Sequence, residues 1–384
     1  MSRKLRMGLV GGSAGSFIGR IHRIAAELDG EAQLVCGAFS SDAARSRAAG
    51  EAYHVEPSRA YASYVEMFEQ ERQLPASERM DFVAIVTPNH VHYGPARLAL
   101  ENGFHVVIDK PMCFSMEQAL SLQKIVAQTK NILAVTYTYS GYPMVKEAKA
   151  LIAAGRIGTL RKIYVEYPQG WLSTAVEGKG QRQAQWRTDP DRSGAGGAIG
   201  DIGTHAAHLA EYVSGLRITD INAVLTAVVA GRRLDDDSAI ILRFDNGASG
   251  VLTATQVAAG EENNLRIRIY GEKGGLDWQQ VEPNSLTLRF LNEPAQTLRA
   301  GWGYLSPEAT DYSRTPAGHP EGYLEAFANI YAAFFRAVRA HASGQDVGAA
   351  RCDFPDVDAG VRGMAFIDAA LRSAQSDQKW TPFL

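Results

Sequence analysis

The hydrophobic pattern of the first third of the chain alternates between two kinds of segment. Short, continuously apolar runs predict buried strands, and longer stretches with apolar residues every three or four positions predict helices. The predicted strands cover residues 7–10, 33–39, 81–86, 105–108 and 132–136, and the predicted helices cover residues 17–28, 42–52, 61–71, 94–102 and 115–128. Strands that alternate with helices in this way predict an α/β domain over residues 1–138, with a doubly wound parallel sheet.

After residue 138 the pattern changes to alternating apolar and polar positions, as in Leu265-Arg266-Ile267-Arg268-Ile269. This alternation is typical of an antiparallel sheet with only one face in a core. Strands are predicted over residues 161–167, 218–230, 238–244, 248–257, 264–270 and 285–290, and helices over residues 143–154, 323–341 and 357–373. Residues 293–320 are predicted to be a long irregular loop. The sequence therefore predicts a second domain of α+β type over residues 139–384.

The composition limits the partners that the protein is expected to have. The chain has 384 residues, of which 46% are hydrophobic, and its 39 Lys and Arg against 42 Asp and Glu give a formal net charge of −3. This balance provides no basic excess for nucleic acid or a membrane surface, and no apolar stretch is long enough to cross a bilayer. The three cysteines, Cys36, Cys113 and Cys352, are widely spaced, which argues against a disulfide framework or a metal site. We expect a cytoplasmic protein without a metal.

A glycine-rich segment follows the first predicted strand and opens the first predicted helix. Glycines let the backbone turn tightly and approach a pyrophosphate, and the N–H groups at the start of the helix are donors for it. The candidate cofactor-binding residues of this loop are Gly11, Gly12, Ser13, Gly15, Phe17 and Ile18. A glycine turn that serves only packing is the alternative, but its position at the start of a βαβ unit favours a dinucleotide.

The end of the second predicted strand is expected to contact the ribose of that dinucleotide. An acidic residue is usual there in NAD-binding domains, whereas this chain has Ser40 and Ser41, followed by Asp42 and Arg45. Without a carboxylate at position 40, a 2′-phosphate is not repelled, but Asp42 is near enough in sequence to reach a ribose. The predicted cofactor is therefore NAD or NADP.

Two further motifs follow strands of the same predicted sheet. Thr87-Pro88-Asn89 follows the strand 81–86, with His92 three residues later, and Asp109-Lys110-Pro111 follows the strand 105–108. Loops at the carboxyl ends of parallel strands are where such sheets bind ligands. We expect cofactor contacts from Thr87, Pro88, Asn89, His92, Asp109 and Lys110, and the structural alternatives are a proline turn and a surface lysine.

In the second domain a glycine-rich segment leads into Asp201 and His205. Residues four apart on a helical turn share a face, and a carboxylate beside an imidazole orients it and raises its basicity. Such a pair suits general acid–base catalysis near neutral pH. The alternative is that Asp201 caps a helix and His205 is a buried core histidine.

Together and in this order, these motifs resemble the Gfo/Idh/MocA family of oxidoreductases, as do Gly155-Arg156-Ile157-Gly158 and Trp186-Arg187. The resemblance implies an N-terminal Rossmann domain, followed by a domain with an open, mostly antiparallel sheet that often forms the oligomer interface. A homodimer or homotetramer through the C-terminal sheet is therefore expected. His22 matches a histidine that follows the glycine loop, where a helix-packing role and a functional role are both open.

The resemblance also implies roles for individual residues. Lys110, Asp201 and His205 match the catalytic positions of the family, where they also bind substrate. The segment around His319 is similar to one in a branch of the family and implies that His319 reaches the substrate. Aromatic faces and a forked guanidinium suit a polyol, so Trp171, Trp186 and Arg187 are candidates for substrate binding, with plain packing as the alternative.

The predicted function is hydride transfer between NAD(P) and a hydroxyl-bearing carbon of a sugar, glycoside or inositol. In this hypothesis His205, supported by Asp201, takes the hydroxyl proton and Lys110 hydrogen-bonds the same oxygen, although the two roles are exchangeable. The hypothesis requires Lys110 and His205, from different domains, to converge at the nicotinamide. Two alternatives use the same fold: a redox-assisted glycoside hydrolase or lyase that retains NAD, and a non-catalytic sugar-sensing protein.

Overall fold

In a computed structural model, which describes residues 3–13, 15–346 and 352–384, the chain forms two compact units. The first unit comprises Met1–Thr138 with Phe327–Val361, and the second comprises Tyr139–Ala326 with Arg362–Leu384. The sequence pattern alone assigns everything after residue 138 to the C-terminal domain, whereas Phe327–Ala342, most of a long helix, groups with the first unit.

The first unit is built on five strands, with a helix after each of the first four and an extra helix in the connection that follows the second. The strands are β1 (Leu5–Gly11), β2 (Ala32–Ala38), β3 (Phe82–Val86), β4 (His105–Ile108) and β5 (Leu133–Val135). The helices are α1 (Phe17–Glu27), α2 (Ala43–Ala52), α3 (Tyr64–Gln73), α4 (Tyr93–Glu101) and α5 (Met116–Thr129). All strand pairs are parallel, in the order β2-β1-β3-β4-β5. This confirms the predicted parallel α/β sheet.

The strand order reverses beside β1, since β2 lies on one side of it and β3 on the other. At such a switch point, the loops at the carboxyl ends of the two strands diverge and leave a crevice for a ligand. The glycine-rich loop follows β1, and the Thr87-Pro88-Asn89 turn follows β3. One helix begins later than the pattern predicts: α3 starts at Tyr64 because the Ser63 hydroxyl caps it by accepting the Glu66 N–H.

The second unit carries one large sheet. Its strands are β6 (Leu160–Pro168), β7 (Ile218–Thr226), β8 (Asp237–Phe244), β9 (Ser249–Thr255), β10 (Arg266–Gly271), β11 (Gly274–Gln279), β12 (Ser285–Phe290), β13 (Glu293–Arg299) and β14 (Thr381–Pro382). Their order is β13-β12-β11-β10-β6-β9-β8-β7-β14, and only the β6–β9 pair is parallel. This confirms the predicted mostly antiparallel sheet.

The remaining helices complete the chain. They are α6 (Pro143–Ala153), α7 (Arg182–Arg187), α8 (Pro190–Ser193), α9 (Thr204–Ser214), α10 (Pro307–Thr310), α11 (Tyr323–Ala342) and α12 (Val357–Ala374). Most of α11 belongs to the first unit because its aromatic residues pack on the parallel sheet. The rings of Phe334 and Phe335 lie 5.3 Å and 5.5 Å from that of Phe82 in β3.

The prediction of a long irregular loop over residues 293–320 is wrong. Residues 293–299 form β13, and Pro307–Thr310 form α10. Six of the seven β13 side chains are exposed, so the strand has no apolar alternation that a sequence pattern would reveal. It forms because its backbone pairs with β12 at the edge of the sheet.

The two faces of the large sheet differ as the alternating pattern predicts. One face is buried, as at Ile240 and Leu242 in β8, and the intervening residues, such as Ile241, are exposed. Across the described part of the chain, none of the helices combines the length and the apolar character needed to span a bilayer.

Candidate active site

The glycine-rich loop turns sharply between β1 and α1. Gly11, Gly12 and Gly15 have φ angles of 87°, 79° and 89°, a region that favours glycine. Gly19, in the first turn of α1, lies so close to the loop that a Cβ there would be 2.4 Å from the Gly12 Cα. The Ser16 hydroxyl caps α1 by accepting the Gly19 N–H. The backbone thus follows a course that only small residues permit.

Tyr53 supports this loop from the end of α2, and the sequence analysis did not identify it. Its hydroxyl donates a hydrogen bond of 2.7 Å to the Gly12 carbonyl. At the adjacent strand end, the Thr87 hydroxyl oxygen is buried and has no hydrogen-bond partner among the described residues. A Cβ built at Gly15 would meet nothing within 4 Å. An open, glycine-lined loop at a helix N-terminus, with an unused buried hydroxyl nearby, fits a dinucleotide.

At the end of β2, Asp42 serves as the cap of α2 and accepts the Arg45 N–H over 2.8 Å. The Ser40 hydroxyl accepts the Asp42 N–H, and the side chains of Ser41 and Arg45 are exposed. The end of β2 therefore presents the hydroxyls of Ser40 and Ser41 and the guanidinium of Arg45, whereas the Asp42 carboxylate is engaged in capping α2.

His92, one of the predicted cofactor contacts, lies between two loops of the first unit. Its ring is buried, with 1% exposure. Nε2 lies 2.8 Å from the Thr87 carbonyl oxygen, and Nδ1 lies 2.9 Å from the Pro111 carbonyl oxygen. Both ring nitrogens therefore face the protein backbone. Asn89 is also buried and starts a short 3₁₀ turn, Asn89–Val91, whereas Pro88 is half-buried.

Lys110 follows β4 in a segment that is tied to the next strand. The Asp109 carboxylate oxygen Oδ1 accepts a hydrogen bond of 2.9 Å from the Thr136 hydroxyl and one of 3.0 Å from the Lys110 N–H. The Lys110–Pro111 peptide bond is cis, and Lys110 is half-buried. The Asp109 side chain therefore holds the backbone N–H of Lys110 and links the end of β4 to Thr136, which follows β5.

His22 has a packing role within the first unit. It is fully buried in α1, and its Nδ1 lies 2.7 Å from the hydroxyl of Tyr331 in α11. Its ring meets that of Phe327 edge-on, with the centroids 4.7 Å apart. Burial lowers the pKa of His22 to about 4. A neutral, buried imidazole between aromatic rings belongs to the helix interface.

In the second unit, Asp201 lies in a π-helical turn, Ile199–Gly203, and His205 lies in the first turn of α9. The helical turn that the four-residue spacing predicts is thus π-helical at Asp201 and continues into an α-helix at His205. Nor does Asp201 cap α9, whose N-cap is Gly203 without a side-chain bond. π-helical turns of this kind often occur at functional sites.

Asp235 supports the start of this turn. Its carboxylate oxygens accept the N–H groups of Gly197 and Ile199 over 2.6 Å and 2.8 Å, and its carbonyl accepts the Ala198 N–H over 2.8 Å. A Cβ at Gly197 would lie 2.0 Å from that carbonyl oxygen, which explains the glycine. Burial raises the pKa of Asp235 to about 6. The glycine-rich segment thus serves a backbone contact within the second unit.

The Asp201 carboxylate is held by two donors. Its oxygen Oδ2 accepts a hydrogen bond of 2.8 Å from Gln256 Nε2 and one of 3.1 Å from Arg187 Nε. The Arg187 guanidinium also lies over the ring of Trp186, 4.2 Å from its centroid. Arg187 therefore orients the carboxylate, a role that its sequence position did not show.

His205 is buried between two tyrosines. Its ring centroid lies 4.9 Å from that of Tyr139 and 6.2 Å from that of Tyr167, both edge-on. The two tyrosine hydroxyls are hydrogen-bonded to each other. Burial raises the pKa of each, so both are neutral donors at physiological pH.

A chain of uncharged polar groups continues from these tyrosines. Tyr167 donates to Asn263 Oδ1 over 2.7 Å, and Gln169 donates to the same atom over 2.6 Å. Gln169 Oε1 in turn accepts from Trp171 Nε1 over 2.9 Å and from Gln256 over 3.3 Å. The structure thus links Trp171 to Asp201 through amides.

Sequence reasoning missed five members of this group: Tyr139, Tyr167, Gln169, Gln256 and Asn263. Gln169 directly follows β6, and Gln256 directly follows β9, so the one parallel strand pair of the sheet brings them together. A search for polar residues just after predicted strands would have found Gln169, which follows the predicted strand 161–167, but not Gln256, which lies inside the predicted strand 248–257.

Trp186 and His319 are the remaining predicted substrate residues of the second unit. Trp186 donates to Gln183 within α7 over 3.2 Å. His319 is exposed in the loop between α10 and α11, where its Nδ1 lies 3.3 Å from the Pro316 carbonyl oxygen. Within the described ranges, no three His, Cys, Asp or Glu side chains are grouped as metal ligands.

Comparison with known proteins finds two family models along the chain. Residues 5–137 match the model of an oxidoreductase family with an NAD-binding Rossmann fold. Residues 145–277 match the model of the GFO/IDH/MocA C-terminal domain. The first match contains the glycine-rich loop, and the second contains Asp201 and His205.

Individual relatives agree with these matches. YfiI, an uncharacterized oxidoreductase of Bacillus subtilis (strain 168), is 33% identical over 100% of this chain and 98% of its own length. Levoglucosan dehydrogenase of Pseudarthrobacter phenanthrenivorans is 28% identical over 56% of this chain and 59% of its own length.

An inositol dehydrogenase homolog from Azotobacter vinelandii has a similar solved structure. Its complex with NAD+ matches with a TM-score of 0.95, and its complex with NADH and myo-inositol matches with a TM-score of 0.92. In both, the sequence identity is 35%, and the match covers 100% of this chain and 98% of that one.

Proposed function

The chain belongs to the Gfo/Idh/MocA family of oxidoreductases, and from that premise we propose that it transfers a hydride between NAD(P) and a hydroxyl-bearing carbon of a cyclic polyol. The polyol is a sugar, a glycoside or an inositol. The observation that carries this proposal is the Asp201 carboxylate, held by Arg187 and Gln256 four residues before the buried His205. A fixed carboxylate and an imidazole are the groups that proton transfer to or from an alcohol needs.

The surroundings of this pair support a neutral polyol as the substrate. Amide and hydroxyl groups of Asn263, Gln169 and Tyr167 form the polar chain next to His205, and Trp171 adds an aromatic face. Amides and hydroxyls both donate and accept, as sugar hydroxyls do, and aromatic rings pack on the apolar faces of sugars. The relatives named for levoglucosan and bound to myo-inositol support the same class.

The residues of the first unit support the cofactor part of the proposal. NAD(P), when bound, supplies the hydride acceptor for alcohol oxidation. The loop residues proposed to hold its pyrophosphate are Gly11, Gly12, Ser13, Gly15, Phe17 and Ile18. Thr87, Pro88 and Asn89 are proposed to contact its nicotinamide half, and Ser40, Ser41 and Arg45 its adenosine ribose.

Each catalytic residue has a distinct role in this proposal. His205 accepts the proton of the reacting hydroxyl, and Asp201 stabilises the imidazolium that results. Lys110 donates a hydrogen bond to the same oxygen and stabilises the negative charge that develops there. Because Asp201 is held by two donors, it can orient the imidazole without moving.

The proposal is tested by screening inositols, sugars and anhydrosugars with NAD and with NADP, and following reduction of the nicotinamide by its absorbance. We expect at least one cyclic polyol to reduce one cofactor stoichiometrically. Lys110→Ala and His205→Ala should lower kcat roughly a hundredfold to ten-thousandfold, whereas Lys124→Ala, an exposed lysine of α5, should not.

Two results would contradict the proposal. Turnover of Lys110→Ala at the wild-type rate would remove Lys110 from the reaction. Conversion of a glycoside without net accumulation of reduced cofactor would indicate transient oxidation followed by elimination, and hence a lyase or hydrolase.

A further inference from the structure

His92 lies between two backbone carbonyl groups that belong to different loops of the first unit. One is the carbonyl of Thr87, which follows β3, at 2.8 Å, and the other is that of Pro111, which follows β4, at 2.9 Å. We propose that His92 is a positioning residue that ties these two loops together and thereby fixes the backbone at Lys110. This inference rests on the proposed function, because that function assigns Lys110 to the reacting hydroxyl.

The chemistry of the ring suits a tie between loops. A carbonyl oxygen only accepts hydrogen bonds, so each of the two contacts needs an N–H on the ring. The neutral imidazole has one N–H and the imidazolium has two, so at least one tie is present in either state. Burial lowers the pKa of His92, while the neighbouring Asp109 carboxylate raises it. The bond to Pro111, which joins the two loops, is made by the imidazolium and by the neutral ring that carries its proton on Nδ1.

The segment that carries Lys110 is anchored from a second direction. The Asp109 carboxylate accepts from both the Lys110 N–H and the Thr136 hydroxyl. Thr136 follows β5 and donates its own N–H to the Ile108 carbonyl over 3.0 Å. Lys110 is therefore held through Asp109 on one side and, by way of Pro111, through His92 on the other.

The tie also reaches the cofactor side of the same unit. The Thr87 hydroxyl oxygen is buried and has no hydrogen-bond partner in the described ranges of the chain, so a bound cofactor could engage it. If His92 releases the Thr87 carbonyl, that hydroxyl shifts with it. Loss of the tie should therefore weaken binding of NADH as well as the chemical step.

Three variants of His92 separate the two ties. In His92→Asn the side-chain amide nitrogen reaches about as far as Nδ1 of the histidine, so this variant keeps the bond to Pro111 and loses the bond to Thr87. In His92→Gln the amide nitrogen reaches about as far as Nε2, so this variant keeps the bond to Thr87 and loses the bond to Pro111. His92→Ala keeps neither. We expect the single-tie variants to bind NADH about threefold to tenfold more weakly, with His92→Gln nearer to the wild type, and His92→Ala to bind most weakly. Fluorescence titration of the full chain with NADH measures this without turnover.

A double-mutant cycle tests the link to Lys110. His92→Gln, which loses the bond to Pro111, should lower kcat about tenfold in the otherwise wild-type chain, because Lys110 is no longer held in place. In the Lys110→Ala background the same change should lower kcat less than twofold. An equal loss in both backgrounds would show that His92 does not act through Lys110 and would overturn the inference.

His105→Asn is the matched control. His105 is a buried histidine at the other end of the strand that precedes Lys110, and its Nδ1 accepts the Ile132 N–H over 3.0 Å. This variant should lower the melting temperature but leave the NADH affinity unchanged. If it weakens NADH binding as much as His92→Asn does, the effect is general destabilisation, and the inference fails.

The tests of the His92 inference and of the proposed function can fail separately. A wild type that oxidises no polyol with either cofactor contradicts the function, but the NADH affinities of the three His92 variants still decide the present inference. Unchanged affinity in all three overturns it.

Discussion

Gln256 donates a hydrogen bond of 2.8 Å from Nε2 to the carboxylate oxygen Oδ2 of Asp201. The two residues are 55 positions apart in the sequence, and the glutamine is 2% exposed. A buried amide that donates to a carboxylate favours the ionised form and limits its rotation. Gln256 thus holds the Asp201 carboxylate in one orientation for its proposed role in stabilising the His205 imidazolium.

Replacement of Gln256 by leucine should impair catalysis without unfolding the protein. A hydrogen bond to a charged acceptor contributes about 1.5–3 kcal/mol, which corresponds to roughly a tenfold to hundredfold loss of kcat/KM. Steady-state kinetics with the substrate found by screening measure this loss. Gln296→Leu is the control, because Gln296 makes a similar bond to Glu293 on an exposed edge strand. Equal kcat/KM for wild type and Gln256→Leu would contradict this role.

Replacement of Gly19 by alanine should weaken cofactor binding. The new Cβ would lie 2.4 Å from the Gly12 Cα, so the glycine loop must move away from α1. We expect the Kd for NADH to rise at least about tenfold, because the loop and the helix N-terminus no longer act together. Calorimetric titration with NADH measures this change. Gly303→Ala, where a Cβ meets nothing within 4 Å, should bind NADH as the wild type does.

His22 should make the protein less stable in mild acid. Its pKa is lowered to about 4 from 6.5, so between these pH values the unfolded chain takes up a proton that the folded chain excludes. The free energy of unfolding therefore decreases as the pH falls through this window, by about 2 kcal/mol for this residue between pH 7 and pH 5. Urea unfolding at both pH values should show a smaller decrease for His22→Gln.

The control for this measurement is His54→Asn. His54 is exposed and has a φ angle of 58°, a conformation that asparagine tolerates. It should show the same pH dependence as the wild type. His105, whose pKa is also lowered to about 4, is present in all three proteins and cancels in the comparison. If wild type and His22→Gln lose the same stability, His22 is not the residue that titrates.

The exposed face of the large sheet should join copies of the chain. Val224 and Ile241, on the neighbouring strands β7 and β8, are 61% and 49% exposed, and Tyr164 and Tyr270 extend the face on β6 and β10. An apolar surface of this kind is typical of an interface. We therefore propose a homodimer or homotetramer through this face, with Ile241→Lys shifting it toward the monomer.

Size-exclusion chromatography with light scattering gives the mass of each variant. Leu291→Lys is the control, because Leu291 is 82% exposed in the turn between β12 and β13. Its assembly should match that of the wild type. A monomeric wild type, or an Ile241→Lys protein of unchanged mass, would contradict this interface.

The sequence alone determined the class of each sheet. The strand Phe82–Val86 is continuously apolar because both of its faces are covered, so polar residues are excluded from it. The strand Asp237–Phe244 alternates because only one of its faces is covered, and polar residues are placed on the uncovered face. It also located the motifs at the ends of β1, β3 and β4, since those residues are neighbours in the chain.

Only the tertiary structure decided which groups hold these motifs in place. Gln256 meets Asp201, His92 meets Pro111, and Asp235 meets the glycine-rich turn, each across elements that are separated in the sequence. The edge strand β13 and the docking of α11 on the parallel sheet were decided in the same way. Hydrophobic periodicity indicates which side of a helix or strand is buried. The hydrogen-bond partner of a residue depends instead on which other helix, strand or loop lies next to it in the folded chain.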